Sequence, residues 1–225
     1  MMYQAIFFDV DDTLLNFKLS SQSAFQKSFA DFNLEYNDHI FSEFVGIDNI
    51  LWAKQRTNEI TIQEVVDNRF KQLFHLLKID ADAADMEHLY RNKLHHECHL
   101  ESEVVETIVY LNAKYKLYVA SNGFLTMQTA RLKLANLFHL FSDLYVSDDI
   151  GFEKPDRRFF GEILKRSSFE KHQTLFIGDS LEADIKGASG ADIDTCWYNP
   201  NRKENTSDVS STMIIHELSQ LRAIL

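Results

Sequence analysis

Cysteine is almost absent from this chain. Cys98 and Cys196 are the only two in 225 residues, and they form no C-x-x-C pair. Two thiols in a chain of this length exclude a disulfide scaffold and fit a reducing compartment. Long apolar runs are missing as well. No window reaches eighteen consecutive apolar residues, which excludes a conventional membrane-spanning helix. The opening MMYQAIFFDVDD has an apolar run followed by acidic residues and no small-residue cleavage site, so the expectation is a soluble, unsecreted, cytoplasmic protein. Positive charge is scarce: 23 Lys and Arg stand against 34 Asp and Glu, for a net charge of −11. No Lys/Arg-rich run offers a track for a phosphate backbone, so polymeric nucleic acid is excluded as a partner. Internal repeats and low-complexity tracts are also lacking.

What is present is 45% hydrophobic and 25% charged residues, enough to bury the core of one large domain or two small ones. The acidic balance still permits a small phosphorylated substrate where a divalent cation neutralises charge locally. Ala5 to Val10 (AIFFDV) is a short, nearly continuous apolar run, the pattern of a strand buried on both faces. Similar runs recur at Leu117–Ala120, Leu144–Val146, Leu175–Ile177 and Ile193–Trp197. Helical spacing lies between them at Thr126–Leu137, Arg157–Arg166 and Leu181–Ala188. That alternation predicts an α/β fold with a parallel sheet. Residues 16–97 differ, with amphipathic stretches at Ser21–Phe32, Ile62–Leu77 and Asp85–His96, no strand pattern and no proline. The expected organisation is an α/β core of residues 1–15 and 98–225, interrupted by an all-helical cap of residues 16–97. Pro200–Asp208 reads as a polar surface loop.

The first strand ends in Asp9-Val10-Asp11-Asp12-Thr13, three carboxylates within four residues. Crowded carboxylates raise one another's pKa unless a cation or donors compensate, and parallel sheets bind ligands beyond the carboxyl ends of their strands. The competing account is a polar turn in which Asp12 caps a short helix. Three more signals each follow a predicted strand: Ser121-Asn122-Gly123, Lys154-Pro155, and Gly178-Asp179-Ser180 with Asp184. Singly, each has a bland reading as a turn or helix N-cap. Together, in order, at four strand ends, they point to one site.

These residues resemble the four motifs of the haloacid dehalogenase-like superfamily, phosphatase branch: D-x-D-x-T at Asp9–Thr13, Ser121, Lys154, and G-D-x-x-x-x-D at Gly178–Asp184. The resemblance spans the chain and implies a Rossmann-like core with a helical cap inserted between the first two motifs. It implies Asp9 as the nucleophile that forms an aspartyl phosphate, with Asp11 as acid and then base. Two residues along an extended chain, about 6.5 Å apart, present both side chains to the same side. It further implies Mg2+ held by Asp9, Asp179 and the backbone carbonyl of Asp11, with Asp184 one layer out or orienting Lys154. Ser121, Lys154 and, in an assisting role, Asn122 are the expected phosphate-binding residues. The dehalogenase branch lacks the aspartate found here at position 11, which favours phosphoryl chemistry. Position 12 is Asp where many relatives have Gly.

Residues 47–52, 59–61, 64–65 and 69–70, with Thr195-Cys196-Trp197 and Asn199, resemble the pyrimidine 5′-nucleotidase subgroup. The implied substrate is a pyrimidine nucleoside 5′-monophosphate. Alternatives are another small metabolite such as phosphoglycolate or a sugar phosphate, a phosphomutase, and a non-catalytic binding protein; the last conflicts with the retention of Asp9, Asp11, Lys154 and Asp179. No membrane partner is expected, and the chain should be a monomer or homodimer. Phe17, Phe44 and Trp52 are base-stacking candidates, against the ordinary reading of such aromatics as core. His95, His96, Cys98 and His99 invite a metal reading, against that of a solvated helix end.

Overall fold

The apolar run after Gln4 becomes β1 (Ala5–Phe8), buried along its whole length. The computed structural model describes residues 3–57 and 59–225. Met1 and Met2 of the expected core segment and Asn58 of the expected cap lie outside the described residues. The chain forms two compact units, Met1–Phe17 with Cys98–Leu225, and Lys18–Glu97.

Following β1 come α1 (Phe17–Asp31), α2 (Asp38–Arg56), α3 (Ile62–Leu77) and α4 (Ala83–Leu94). Among the described residues of Lys18–Glu97 there is no strand. Helix α3 starts in a capping box, in which Thr61 and Glu64 each satisfy the other's backbone N–H. Its apolar face closes on an aromatic core, with Phe25 against Phe29 at 4.2 Å and Phe44 against Phe70 at 4.9 Å between ring centroids. Arg69 is buried in this unit. It makes two 2.7 Å bonds to Glu87 and one of 3.2 Å to Asp48, and lies 4.8 Å from the Tyr90 ring centroid. Helix α2 has no counterpart among the predicted helices. Its inward stripe includes Asp48 and Gln55 beside Phe41, Phe44 and Leu51, so polar residues interrupt the apolar period.

Phe44 is fully buried within this core, which overturns it as a base-stacking candidate. Trp52 is half-buried and hydrogen-bonds Asp48. His95 and His96 turn their Nδ1 atoms to the carbonyls of Arg91 and Asn92, at 2.8 and 2.9 Å. Among the described residues these histidines and Cys98 form no metal-ligating group.

The chain continues through α5 (Val104–Asn112), β2 (Lys116–Ser121), α6 (Leu125–Leu134), β3 (Asp143–Val146), α7 (Ser147–Ile150), α8 (Arg157–Ser167), β4 (Thr174–Gly178), β5 (Asp194–Tyr198) and β6 (Met213–Ile215). All strand pairs are parallel, in the order β3-β2-β1-β4-β5-β6. This is the expected α/β fold with a Rossmann-like parallel sheet core. Alternation along β1 sends Ile6 and Phe8 to one face and Ala5 and Phe7 to the other, where separate apolar clusters cover each side. A sheet buried on both faces accounts for the continuous apolar runs. Strand order reverses at β1, whose neighbours are β2 and β4, so the carboxyl ends of these three strands open on one crevice.

One predicted helix changes character, and strand β6 has no counterpart among the predicted strands. The helix expected over Leu181–Ala188 is a π-helical segment, Leu181–Lys186, followed by a short α-helix, Gly187–Gly190. Strand β6 is three residues long with Ile214 exposed, too short to show a period. No helix among the described residues is long and apolar enough to cross a membrane.

Candidate active site

Asp9 follows directly on β1, and its N–H donates to the Ile177 carbonyl at 2.9 Å, extending the ladder with β4 by one residue. The chain then turns sharply. The N–H groups of Thr13, Leu14 and Leu15 converge on the Val10 carbonyl, and Asp12 takes a left-handed conformation with φ 58°. Asp is among the few non-glycine residues that adopt this backbone readily, and glycine would fit it equally well. The exposed Asp12 carboxylate accepts from Phe17 N at 3.0 Å, at the start of α1, so the capping account is correct for Asp12. Asp9 instead is buried, 7% exposed, and faces the crevice with Lys154.

Lys154 lies on the loop before α8, also buried. Its Nζ donates to Asp9 Oδ1 and Asp184 Oδ1 at 2.6 Å each and to the Ala120 carbonyl at 2.9 Å. Asn122, just past β2, holds this loop through both ends of its amide. Lys154 N donates to Asn122 Oδ1 at 2.8 Å, and Asn122 Nδ2 donates to the Lys154 carbonyl at 2.9 Å. The Asn122 side chain is thus engaged in positioning Lys154. Ser121 ends β2 with its hydroxyl donating to the Asn122 carbonyl at 3.1 Å.

Asp179 and Asp184 follow β4. Ser180 caps the π-helical segment by accepting from Ala183 N at 3.1 Å, which turns Asp184 back toward the strand end; Ser180 N donates to Asp184 Oδ2 at 3.1 Å. The Asp179 carbonyl accepts from the Trp197 indole of β5 at 2.8 Å. Asp9, Asp179 and Asp184 each offer a carboxylate oxygen, all within 4.8 Å of one another. Among the described residues Lys154 is the one cation paired with Asp9 or Asp184, and no salt bridge reaches Asp179. Three carboxylates against one ammonium leave two negative charges to balance, and the donor set is hard oxygen, so the residues present fit Mg2+.

The electrostatics match that deficit. Burial pushes the Asp9 carboxyl up to about 7; Lys154 pulls it back, while Asp184 and Asp11 add to the rise. Burial also holds Asp179 well above the ordinary carboxylate range, with Asp184 and Asp9 contributing. Lys154 is raised despite its burial, by Asp184 and Asp9. A bound divalent cation inverts this balance and keeps the carboxylates ionised.

Asp11 stands apart from the three-carboxylate group. Both its oxygens are held from α6, Oδ1 by Arg131 Nη1 at 2.6 Å and Oδ2 by Gln128 Nε2 at 2.8 Å. Gln128 Nε2 also reaches Ser121 Oγ at 3.2 Å, and Gln128 Oε1 accepts from Arg131 Nη1 at 3.1 Å. Gln128 and Arg131 belong to none of the four sequence motifs. Their signal was a polar pair at i and i+3 in a predicted helix directly after the Ser121 motif, which periodicity alone assigns to solvent.

The chain is similar to known proteins along its length. The family model described as haloacid dehalogenase-like hydrolase matches residues 3–192. The chain is 36% identical over 224 residues to the HAD-hydrolase family protein YfnB of Bacillus subtilis, covering 99% of this chain and 95% of that one. A crystal structure of YfnB bound to magnesium superposes with a TM-score of 0.95, covering 100% and 99% of the two chains. Pyrimidine 5′-nucleotidase PynA of Streptococcus pneumoniae is 32% identical over 230 residues, covering 98% and 94%. Pyrimidine 5′-nucleotidase YjjG of Escherichia coli is 25% identical over 226 residues, covering 100% and 99%.

Proposed function

The chain belongs to the haloacid dehalogenase-like hydrolases and is a phosphatase of that family, and we propose on that premise that it hydrolyses pyrimidine nucleoside 5′-monophosphates through an aspartyl phosphate on Asp9. The observation that carries the chemistry is the buried Asp9 carboxylate, held by Lys154 on one oxygen at 2.6 Å and more distantly by Thr13 on the other at 3.5 Å, beside Asp179 and Asp184. The two donors fix the plane of the attacking group, as in-line displacement requires. The nucleotide assignment is supported by the names of the two nucleotidases to which the chain is similar along its length.

In the first half-reaction an Asp9 oxygen attacks phosphorus, the P–O bond to the leaving group breaks, and Asp11 delivers a proton to the departing oxygen. In the second, Asp11 takes a proton from water as that water attacks the aspartyl phosphate, releasing inorganic phosphate and restoring Asp9. The Lys154 ammonium and the Ser121 hydroxyl serve the non-bridging oxygens of the phosphoryl group. Asp9, Asp179, Asp184 and the Asp11 carbonyl are the groups that would hold Mg2+, which when bound supplies positive charge to phosphate and carboxylates in a buried site. Asn122 keeps Lys154 in place.

The test is phosphate release from a panel of monoesters, with Asp9→Asn as the control. UMP, dUMP and dTMP should be preferred, and the variant should release no phosphate from any of them. Preference for phosphoglycolate or a sugar phosphate overturns the nucleotide assignment. Near-normal turnover by the variant under saturating magnesium overturns the mechanism.

A further inference from the structure

We propose that Gln128 and Arg131 of α6 are positioning residues that hold Asp11 in the geometry for proton transfer. The inference rests on the assignment of Asp11 as acid and base made above.

The hydrogen bonds run in one chemically enforced direction. Arg131 has only donors and an ionised Asp11 has only acceptors. Between them the Gln128 amide has one workable orientation, with Oε1 toward Arg131 Nη1 at 3.1 Å and Nε2 toward Asp11 Oδ2 at 2.8 Å. The flipped amide would set oxygen against carboxylate and nitrogen against guanidinium. The same Nε2 lies 3.2 Å from Ser121 Oγ, so one amide touches both the residue that handles the leaving group and the residue that handles the phosphate.

Arg131 anchors the arrangement. Its side chain is 0% exposed, it bonds Asp11 Oδ1 at 2.6 Å, and its guanidinium lies 5.7 Å from the Phe17 ring centroid. A buried guanidinium with that packing has little rotational freedom, and its reach fixes where the Asp11 carboxylate sits. Each Asp11 oxygen accepts one bond from α6 and keeps a second lone pair for the proton it exchanges with substrate or water. Asp11 itself lies on the turn after β1 and is partly exposed, so the backbone does not hold its side chain. Two donors on a packed helix do.

The consequence is selective for the leaving group. A misplaced acid harms departure of a poor leaving group, which needs the proton, more than departure of a good one. Phenyl phosphate and p-nitrophenyl phosphate differ in this respect and do not depend on nucleotide recognition. Gln128→Leu and Arg131→Lys should each lower kcat on phenyl phosphate by about 10- to 100-fold, while p-nitrophenyl phosphate falls by less than about threefold and KM stays within about twofold on both. Asp11→Asn, measured alongside, should show the same bias more strongly. Equal losses on both esters, or none, in the α6 variants while Asp11→Asn keeps its bias would overturn the positioning role. Absence of bias in Asp11→Asn would instead overturn the assignment of Asp11. Gln128→Leu keeps the side-chain volume and leaves Arg131 bonded to Asp11, so the test stands if Arg131→Lys fails to fold.

Discussion

Gly178 and Asp184 occupy the same space to within an atom: a Cβ built on Gly178 would lie 2.3 Å from Asp184 Oδ2 and 2.7 Å from its Cβ. Asp184 has nowhere to retreat. It is 1% exposed and pinned by Lys154 at 2.6 Å and by Ser180 N at 3.1 Å. The glycine at the end of β4 is therefore a steric requirement of the carboxylate group, independent of its backbone freedom. Gly178→Ala should displace Asp184 and, through it, Lys154. The expected result is a loss of about 100-fold in kcat, with a weaker response to added magnesium. Steady-state kinetics against magnesium concentration check this, and wild-type behaviour would refute it.

Asp179 is the carboxylate without a salt bridge among the described residues, so it should respond most to a divalent cation. Magnesium at about 100 times its Kd should stabilise the folded chain by about 2.7 kcal/mol, or roughly 5 to 10 °C in Tm for a chain of this size. Asp179→Asn should abolish most of that rise. Thermal denaturation with and without magnesium reads both effects, and an unchanged magnesium shift in the variant would remove Asp179 from the metal site.

Without metal, the site should give a distinctive pH dependence. Burial raises the folded-state Asp9 carboxyl from 3.8 to about 7. A raised carboxyl favours the folded state fully below its unfolded value, and that contribution is lost as pH climbs through about 7. Metal-free wild-type protein should thus lose stability between about pH 4 and pH 7 more steeply than Asp9→Asn. By about pH 8 the variant should be the more stable, by on the order of 1–3 kcal/mol. Saturating magnesium should reverse the order, because only the wild type has the ligand. Melting curves across pH in chelator and in magnesium provide the check.

The legibility of this site in sequence follows from where each group sits. Asp9 and Asp179 lie just past β1 and β4, and Ser121 closes β2; two-faced burial writes these strands as continuous apolar runs, so those positions are readable, whereas Lys154 lies beyond α7 on the loop before α8, where no strand end marks it. Gln128 and Arg131 are not, because a helix shows polar side chains to solvent and to a distant, partly exposed carboxylate with the same periodicity. Asp11 illustrates the same limit: its spacing from Asp9 was visible, whereas its partners lie 117 and 120 residues away. Helix α2 was hidden by Asp48 and Gln55 in its buried stripe. Asp48 is accommodated there by Arg69 of α3, and no local pattern encodes that pairing.

That pairing carries the last prediction. Arg69 is the common partner of Asp48 and Glu87, both buried. Arg69→Met leaves two carboxylates facing each other without a cation, which should destabilise the Lys18–Glu97 unit by roughly 3–5 kcal/mol. Replacing all three together by apolar residues of similar volume should recover most of that loss, because the desolvation cost disappears with the charges. The measurement has a convenient reporter. The chain has two tryptophans, Trp52 in this unit and Trp197 in the other. In a Trp197→Phe background, urea unfolding followed by tryptophan fluorescence therefore reads the helical unit alone. A triple replacement no more stable than Arg69→Met would show that the ion cluster contributes net stability instead of merely balancing its own burial.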